Sequence, residues 1–299
     1  MDERKLRAFV TVAEELHFTR AAQRLYATQS TVSATIRALE QELGAALLTR
    51  TTRAVTLTDA GRAFLPEAKA ALEALDRARA SVEPPDSELR GSLALGSLSS
   101  LRTVDVAALA GDFRRRHPQV QLRIDISPRG SVGHADRVRA GLLDLAFIAH
   151  PDAEVPGLVV RPLRTFQVGA LVPEAHPLAD RESVPLADLA TEPFIDMPVG
   201  FTQRSVVDAA FADRGLQRWI SVEVPDLSTL PQFVAHGVGV AFLPSALAET
   251  GLPVRALRLT DADLHWTLSV VTAAGRPLSR AAEALLWLLP AHVRTGPWL

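Results

Sequence analysis

Residues 18–44 read FTRAAQRLYATQSTVSATIRALEQELG, and their spacing decides how the N-terminal quarter of the chain folds. Thr19 reads as the N-cap of a short helix carrying Ala21, Ala22 and Leu25. Adjacent alanines let a neighbouring helix approach closely. Tyr26-Ala27-Thr28-Gln29 reads as a short turn. Ser30 then caps a further helix, with Val32, Ile36, Leu39 and Leu43 on one face and Gly44 at its end. Upstream, Leu6, Phe9, Val10, Ala13 and Leu16 fall at helical spacing and make a first amphipathic helix. Gln29, Ser30, Thr31, Ser33, Ala34 and Arg37 occupy the exposed N-terminal part of the third helix. Two readings stand side by side. One is a helix-turn-helix, whose second helix enters the major groove with its N-terminal residues at the base edges. The other is a small helical bundle with a polar surface helix.

The next stretch alternates. Leu47-Leu48-Thr49-Arg50, then Thr51 to Leu57, is β-branched and reads as a two-stranded ribbon. Arg50 and Arg53 on such a ribbon face a phosphate backbone or simply solvent. Thr58 is placed to cap a long helix. Along it Phe64, Ala68, Ala71, Leu75, Ala78 and Val82 recur at spacings of three and four, a heptad seam. The same stripe also serves a helix packed on its own domain. Residues 83–88, with Pro84 and Pro85, end the helical quarter.

Composition narrows the classes. The chain has 299 residues, 47% hydrophobic and 22% charged, which suits two domains with real cores. Net charge is −2, so no global field favours nucleic acid or membrane. The charge divides, however: residues 1–80 carry a net +2 and the remainder −4, and Arg20 to Arg62 carry +3. There are no cysteines, which removes disulfides, thiolate metal sites and a cysteine nucleophile. The charged start Met1-Asp2-Glu3-Arg4-Lys5 is no secretory signal, and no apolar run reaches the ~18 residues that span a bilayer. The expected address is cytoplasmic, with no membrane partner. The eight histidines form no metal-ligand spacing, and His134-x-Asp136 reads as surface. There is no G-x-S-x-G, P-loop or dinucleotide fingerprint, so neither an enzyme nor a cofactor is expected.

Beyond residue 90 the texture is α/β. Strands are expected at 92–96, 120–126 and 144–149, with helices at about 100–117 and 130–142, a βαβαβ unit with a parallel sheet. A second set follows, with strands at 168–172, 194–196, 219–224, 238–243 and 268–272 and helices at 202–214, 226–235 and 278–289. Two α/β subdomains with a cleft between them use this inventory. Ser99 and Ser100, Ser131, and the trio Phe201, Thr202 and Gln203 fall at strand-to-helix junctions. Helix N-termini favour carboxylates and phosphates, although such serines and threonines also serve as plain N-caps. His150 follows a strand end and reads as exposed.

Four motifs carry a resemblance. Phe18-Thr19-Arg20-Ala21-Ala22, Gln29-Ser30-Thr31-Val32-Ser33, Leu39-Glu40-Gln41-Glu42-Leu43-Gly44 and Leu57-Thr58-Asp59-Ala60-Gly61 resemble, in order and spacing, the winged helix-turn-helix of LysR-type bacterial transcriptional regulators. Ala34 and Leu48 depart from that pattern. Gly91 to Gly96, His117-Pro118, Gly141 to Ala146, His176 to Ala179 and Gly237 to Pro244 are more loosely similar to the family's effector-binding domain, itself related to periplasmic solute-binding proteins. The resemblance implies a winged helix-turn-helix over 1–57, a linker and dimerisation helix over 58–83, a hinge over 84–89 and an effector-binding domain over 90–299. Subdomain I then takes about 90–163 and 268–299, and subdomain II about 164–267. It implies phosphate contacts from Thr19, Arg20, Arg37, Arg50 and Arg53 and base readout by Gln29, Ser30, Thr31 and Ser33. It also implies a seam of Phe64, Ala68, Ala71, Leu75 and Ala78, and an effector, expected as a small organic anion, at Ser99, Ser100, Ser131, Phe201, Thr202 and Gln203. Partners are then operator DNA, the effector, a second copy of the chain in dimers that pair into tetramers, and RNA polymerase. The contrasting class is a solute-binding or carrier protein whose helical N-terminus serves protein contacts.

Overall fold

The computed structural model describes the chain apart from residues 51–54, 81–87, 100, 152–153, 245–246, 248–250 and 295–299. Its N-terminal part is built from α1 (Glu3–Glu15), α2 (Phe18–Arg24) and α3 (Gln29–Leu43), then the ribbon β1 (Leu48–Arg50) and β2 (Val55–Leu57), then α4 (Asp59–Ala80). The apolar stripes meet in one core around Phe9, Ile36, Leu39, Leu47 and Leu65, all fully buried. The paired alanines Ala21 and Ala22 are buried as well, consistent with close helix approach.

Local capping sets the turn, with two corrections to the sequence reading. α2 is capped by His17, whose Nδ1 accepts from the Thr19 backbone N–H, and not by Thr19. α3 is capped by Thr28, not Ser30: its hydroxyl accepts from the Thr31 N–H at 3.2 Å. Gly44 closes α3 in the left-handed region at φ 67°. Glu40 turns back so that Oε1 accepts from the N–H groups of Leu47 and Leu48, which pins the ribbon to α3. The ribbon is antiparallel, pairing Leu48 with Leu57 and Arg50 with Val55. Thr58 caps α4, accepting from the Gly61 N–H at 2.9 Å. At Gly61 a Cβ would lie 2.0 Å from the Leu47 carbonyl oxygen, so only glycine lets α4 cross the ribbon base this closely.

The C-terminal part contains β3 (Gly91–Ser97), α5 (Val106–Arg116), β4 (Val120–Ile126), α6 (Gly130–Arg139) and β5 (Leu145–His150). It continues with β6 (Leu158–Pro173), β7 (Ser183–Val184), β8 (Pro193–Asp196), α7 (Thr202–Ala212), β9 (Trp219–Glu223) and α8 (Leu230–Ala235). It closes with β10 (Ala241–Pro244), β11 (Val254–Leu259), β12 (His265–Ala273) and α9 (Arg280–Leu288). The strands β4, β3 and β5 are parallel, as the βαβαβ rhythm predicts. The rest of the large sheet is antiparallel apart from the parallel β11–β7 pair, in the order β4-β3-β5-β12-β6-β11-β7 with β10 also on β6. A separate parallel pair joins β8 and β9.

The strand β6 is the structural link. Its first part, Leu158 to Gln167, pairs with β12, and its second, Val168 to Pro173, pairs with β10 and β11. It therefore belongs to both lobes. The expected helix at about 100–117 starts only at Val106, capped by the Asp105 carboxylate. Residues 101–105 are irregular, which changes what stands at the mouth of the cleft.

Candidate functional site

The first turn of α3 is polar and accessible. Gln29, Ser30, Ala34 and Arg37 are exposed, and Thr31 and Ser33 are half-buried at its flanks. The Thr28 hydroxyl lies 2.8 Å from both the Ser30 and Thr31 hydroxyls, so one cap residue orders two neighbours. Arg37 reaches back one turn, its Nη2 donating to Ser33 Oγ at 3.2 Å. Thr19 and Arg20 stand exposed at the start of α2. Arg20 Nε donates to Glu15 Oε2 and Nη2 to the Glu15 carbonyl oxygen, which holds the guanidinium at the α1–α2 corner. Arg50 ends β1, and Arg53 lies outside the described residues. The structure thus groups Gln29, Ser30, Thr31, Ser33 and Arg37 on one helix, with Thr19 and Arg20 on the helix before it.

Sequence reasoning passed over Tyr26. It is the chain's one tyrosine, it is 99% exposed, and it sits at φ 51° immediately ahead of α3. A large side chain held out from a left-handed turn immediately before α3 stands beside its polar first turn. Its signal was the aromatic itself in a turn that otherwise favours small residues.

The seam on α4 divides. Ala68 is buried and Phe64 and Ala71 half-buried against the core of their own domain, with the Phe64 ring 5.3 Å from that of Phe9. Leu65 and Leu72 complete this inward face. Leu75 is 40% exposed and Ala78 exposed, so only the second half of the stripe is open to a partner. Phe64, Ala68 and Ala71 first serve the intramolecular core, because α4 must cover the open side of α1.

α4 also touches the C-terminal part through a buried charge cluster. Lys69 Nζ lies 2.8 Å from Glu14 Oε1 of α1 and 3.9 Å from Asp144 Oδ1, just ahead of β5. Arg24 reaches the other oxygen of Glu14 at 2.8 Å, and Arg123 Nη1 of β4 donates to the Glu14 carbonyl oxygen. The Glu14 side chain is 4% exposed and that of Lys69 12%. Burial alone pushes the Glu14 carboxyl up, but Lys69, Arg24 and Arg123 outweigh it and hold it below its ordinary value. Burial likewise pushes Lys69 down, and Asp144 and Glu14 outweigh it and hold the ammonium above its ordinary value.

Between the lobes lies a cavity of about 480 Å³. Its walls bring together Ser99, Ser131, Phe201, Thr202 and Gln203, while Ser100 lies outside the described residues. The lobes touch through bare backbone. At Gly130, at φ 53°, a Cβ would lie 3.0 Å from the Phe201 ring, and at Gly200 it would lie 3.2 Å from the Arg129 carbonyl oxygen. The Ser99 hydroxyl donates across the mouth to the Pro225 carbonyl oxygen at 3.3 Å.

The cradle expected from helix N-termini is altered. Ser99 does not open a helix, since α5 begins seven residues later at Val106. Ser131 and Thr202 do lie in the first turns of α6 and α7, but their hydroxyls are engaged. Ser131 Oγ accepts from the Ala149 N–H at 2.9 Å, and Thr202 Oγ1 donates to the Ala149 carbonyl oxygen at 2.7 Å. Gln203 uses both ends of its amide, donating to the Phe242 carbonyl oxygen and accepting from the Trp266 indole N–H. These side chains order the cavity wall. His134, expected at the surface, is fully buried in that wall, with Nε2 donating to the Ser97 carbonyl oxygen at 2.8 Å. Burial holds its pKa below the ordinary histidine value. His150 is also buried, bonded to Ser269 Oγ at 2.7 Å. Among the described residues, no group of His, Asp and Glu side chains is arranged to hold a metal.

A winged helix-turn-helix joined by a long helix to a two-lobed α/β domain with a central cavity defines a class: the ligand-responsive bacterial transcription factor. Known proteins agree. Residues 4–62 match the family described as bacterial regulatory helix-turn-helix protein, lysR family, and residues 86–294 match the LysR substrate binding domain. The HTH-type transcriptional regulator YnfL of Escherichia coli is 37% identical over 260 residues, covering 83% of this chain and 84% of YnfL. A full-length OxyR variant from Pseudomonas aeruginosa superposes with a TM-score of 0.79 at 25% identity, covering 100% of this chain and 96% of that one. The effector binding domain of QuiR, solved in complex with shikimate, shares the fold, with a TM-score of 0.56 at 20% identity over 68% of this chain and 98% of that one. The chain belongs to the LysR family of transcriptional regulators.

Proposed function

We propose that the chain binds operator DNA as a homodimer through the first turn of α3 and changes its grip when a small organic molecule fills the cavity between the lobes. Division of labour follows the sequence: reading by 1–57, pairing by 58–83, a hinge at 84–89 and sensing by 90–299. The carrying observation is the exposed polar first turn of α3, with Gln29 and Ser30 outward beside Tyr26. A carrier protein has no use for such a surface. In this reading Gln29 meets an adenine edge, Ser30, Thr31 and Ser33 complete the base contacts, and Thr19, Arg20, Arg37, Arg50 and Arg53 grip phosphates. Leu75 and Ala78 pair with a second copy, and two dimers associate along the DNA, where they meet RNA polymerase. The chain works in the cytoplasm and catalyses nothing. The ligand acts only through differential affinity for two arrangements of the lobes, and the two-lobe strand β6 with the Gly130–Phe201 contact is where closure is felt.

Operator binding by fluorescence anisotropy over a salt series tests this. Arg53→Ala is expected to weaken binding to every sequence and to flatten the salt slope by about 0.9 per lost contact. Gln29→Ala is expected to relax preference at one base pair per half-site, on the order of 1–3 kcal/mol. If Gln29→Ala weakened all sequences equally and Arg53→Ala altered base preference alone, the assignment would fail.

A further inference from the structure

We infer that α6 is a rod that carries the state of the interlobe wall to the DNA-binding part of the same chain, and that Leu142 and Asp144 at its foot are the positioning residues of that joint. This rests on the reading of 1–57 as the DNA reader and of the cavity as the sensor, and it adds the route between them.

The two ends of α6 lie in different surroundings. The helix has ten residues and is about 15 Å long. Its first turns are cavity wall, where Gly130, Ser131 and His134 line the chamber. There it is pinned, Ser131 Oγ to the Ala149 N–H at 2.9 Å and His134 Nε2 to the Ser97 carbonyl oxygen at 2.8 Å. Its far end is closed by Gly141 at φ 68°, and the Leu142 N–H donates to the Arg137 carbonyl oxygen at 2.8 Å. Residues 142–144 therefore follow α6 without slack.

At this foot two adjacent leucines part company. Leu143 is buried in the core of lobe I with Ala135 and Val138 of α6, whereas Leu142 packs against the core of the N-terminal part. Among the described residues beyond position 90, Leu142 is the only one in that N-terminal core. Arg123 spans the same seam, Nη2 donating to the Leu142 carbonyl oxygen at 3.2 Å and Nη1 to that of Glu14 at 3.4 Å. Asp144 holds the Ala94 N–H through Oδ2 at 2.7 Å and faces Lys69 of α4 through Oδ1 at 3.9 Å. One apolar plug among charged groups is the make-up of a joint that can shift: parting it exposes little apolar surface, and the ions regain water. A displacement of α6 at the cavity thus reaches α1 and α4 through this seam. Leu142 and Asp144 do not line the cavity.

The chain has no cysteine, so an introduced pair reads the joint directly. A Cβ at position 141 would lie 3.6 Å from the Pro66 Cβ, within disulfide reach once the tip of Arg276 gives way. Full-length Pro66→Cys/Gly141→Cys is expected to cross-link within a single chain under mild oxidation. Adding Ser131→Ala at the other end of α6 is expected to slow the cross-link at least about threefold. Ser205→Ala, which removes a hydroxyl bond on α7 instead, is expected to leave the rate unchanged. On the DNA fragment that the protein protects in a footprint, Ser131→Ala is expected to shift affinity at least about threefold in the reduced pair variant and not in the oxidised one. In the cysteine-free chain Leu142→Ala is expected to remove the Ser131→Ala effect on that affinity, a non-additivity that independent sites this far apart do not show. No cross-link, a rate indifferent to Ser131→Ala, or a Ser131→Ala effect that survives both oxidation and Leu142→Ala would each overturn the inference. A cross-linking rate that responds to Ser131→Ala in a protein that protects no DNA keeps the joint and overturns the DNA-reading role beneath it.

Discussion

Replacing Lys69 by methionine removes the cation at the centre of the contact between the DNA-binding part and the effector domain. The pair it forms with Glu14 is nearly solvent-free, with side chains 12% and 4% exposed at 2.8 Å. Breaking a buried pair from one side typically costs about 3–5 kcal/mol, because the remaining charge stays buried. Glu14 here keeps Arg24 at 2.8 Å, and Asp144 keeps the Ala94 N–H at 2.7 Å, so the expected loss lies at the low end, about 3 kcal/mol. The double variant Glu14→Leu/Lys69→Met removes both charges and should recover to within about 1 kcal/mol of the parent. Urea unfolding at fixed protein concentration measures both, since dimer stability depends on concentration. The four tryptophans, Trp219, Trp266, Trp287 and Trp298, all lie in the C-terminal part, whereas circular dichroism also sees the N-terminal helices. In Lys69→Met the dichroism transition is therefore expected to precede the fluorescence transition. A single variant within about 0.5 kcal/mol of the parent, or a double variant as unstable as the two singles summed, would refute this account of the cluster.

Other outcomes follow from the same contacts. Gly61→Ala forces a Cβ against the Leu47 carbonyl and is expected to cost at least about 1–3 kcal/mol, whereas Gly111→Ala, which meets only the tip of Arg115, is expected to gain about 0.5–1 kcal/mol. Urea midpoints of the two variants moving in the same direction would contradict this. His134 takes up its proton less readily folded than unfolded, because burial lowers its pKa from the ordinary 6.5. The unfolded chain binds more protons just below that value, so stability falls as pH drops through it. His134→Gln should flatten the stability profile between pH 7 and 5, leaving the part due to His117, which burial, Arg116 and Arg280 also lower. Equal slopes in the two proteins would show that His134 is not the group responsible.

Much of the N-terminal fold is legible locally, because helix periodicity and small-residue pairs act within a few turns. The caps shifted by two residues because the His17 ring takes the Thr19 and Arg20 N–H groups and the Thr28 hydroxyl that of Thr31, so each helix begins before the threonine or serine that spacing singled out. Of the parallel strands, β3 and β5 were readable as apolar runs and β4 as an alternation of apolar and polar residues. The first half of β6 was not, since Arg161, Pro162 and Arg164 interrupt its pattern. It pairs there with β12 across a register shift between Leu268 and Ser269, the irregularity that lets a proline sit in a ladder. β11 has three exposed positions and no regular alternation, and it is fixed by pairing with β6 and β7, both far away in sequence. The expected site residues Ser99, Ser131, Phe201, Thr202 and Gln203 do converge on one cavity. What spacing does not reveal is that the polar ones bond to the protein's own backbone and, for Gln203, to the Trp266 indole, or that Glu14, Lys69, Arg123 and Asp144 meet. Those facts depend on partners brought together by the whole topology.

The central claim is that α3 reads DNA as part of a symmetric dimer, and a footprint of the full-length protein on fragments of its own genome, repeated over a salt series, tests it most directly. The account predicts a protected pseudo-palindrome with half-sites one or more helical turns apart, and affinity that falls linearly with the logarithm of salt. Protection that is absent, or weak and uniform along every fragment, would contradict it.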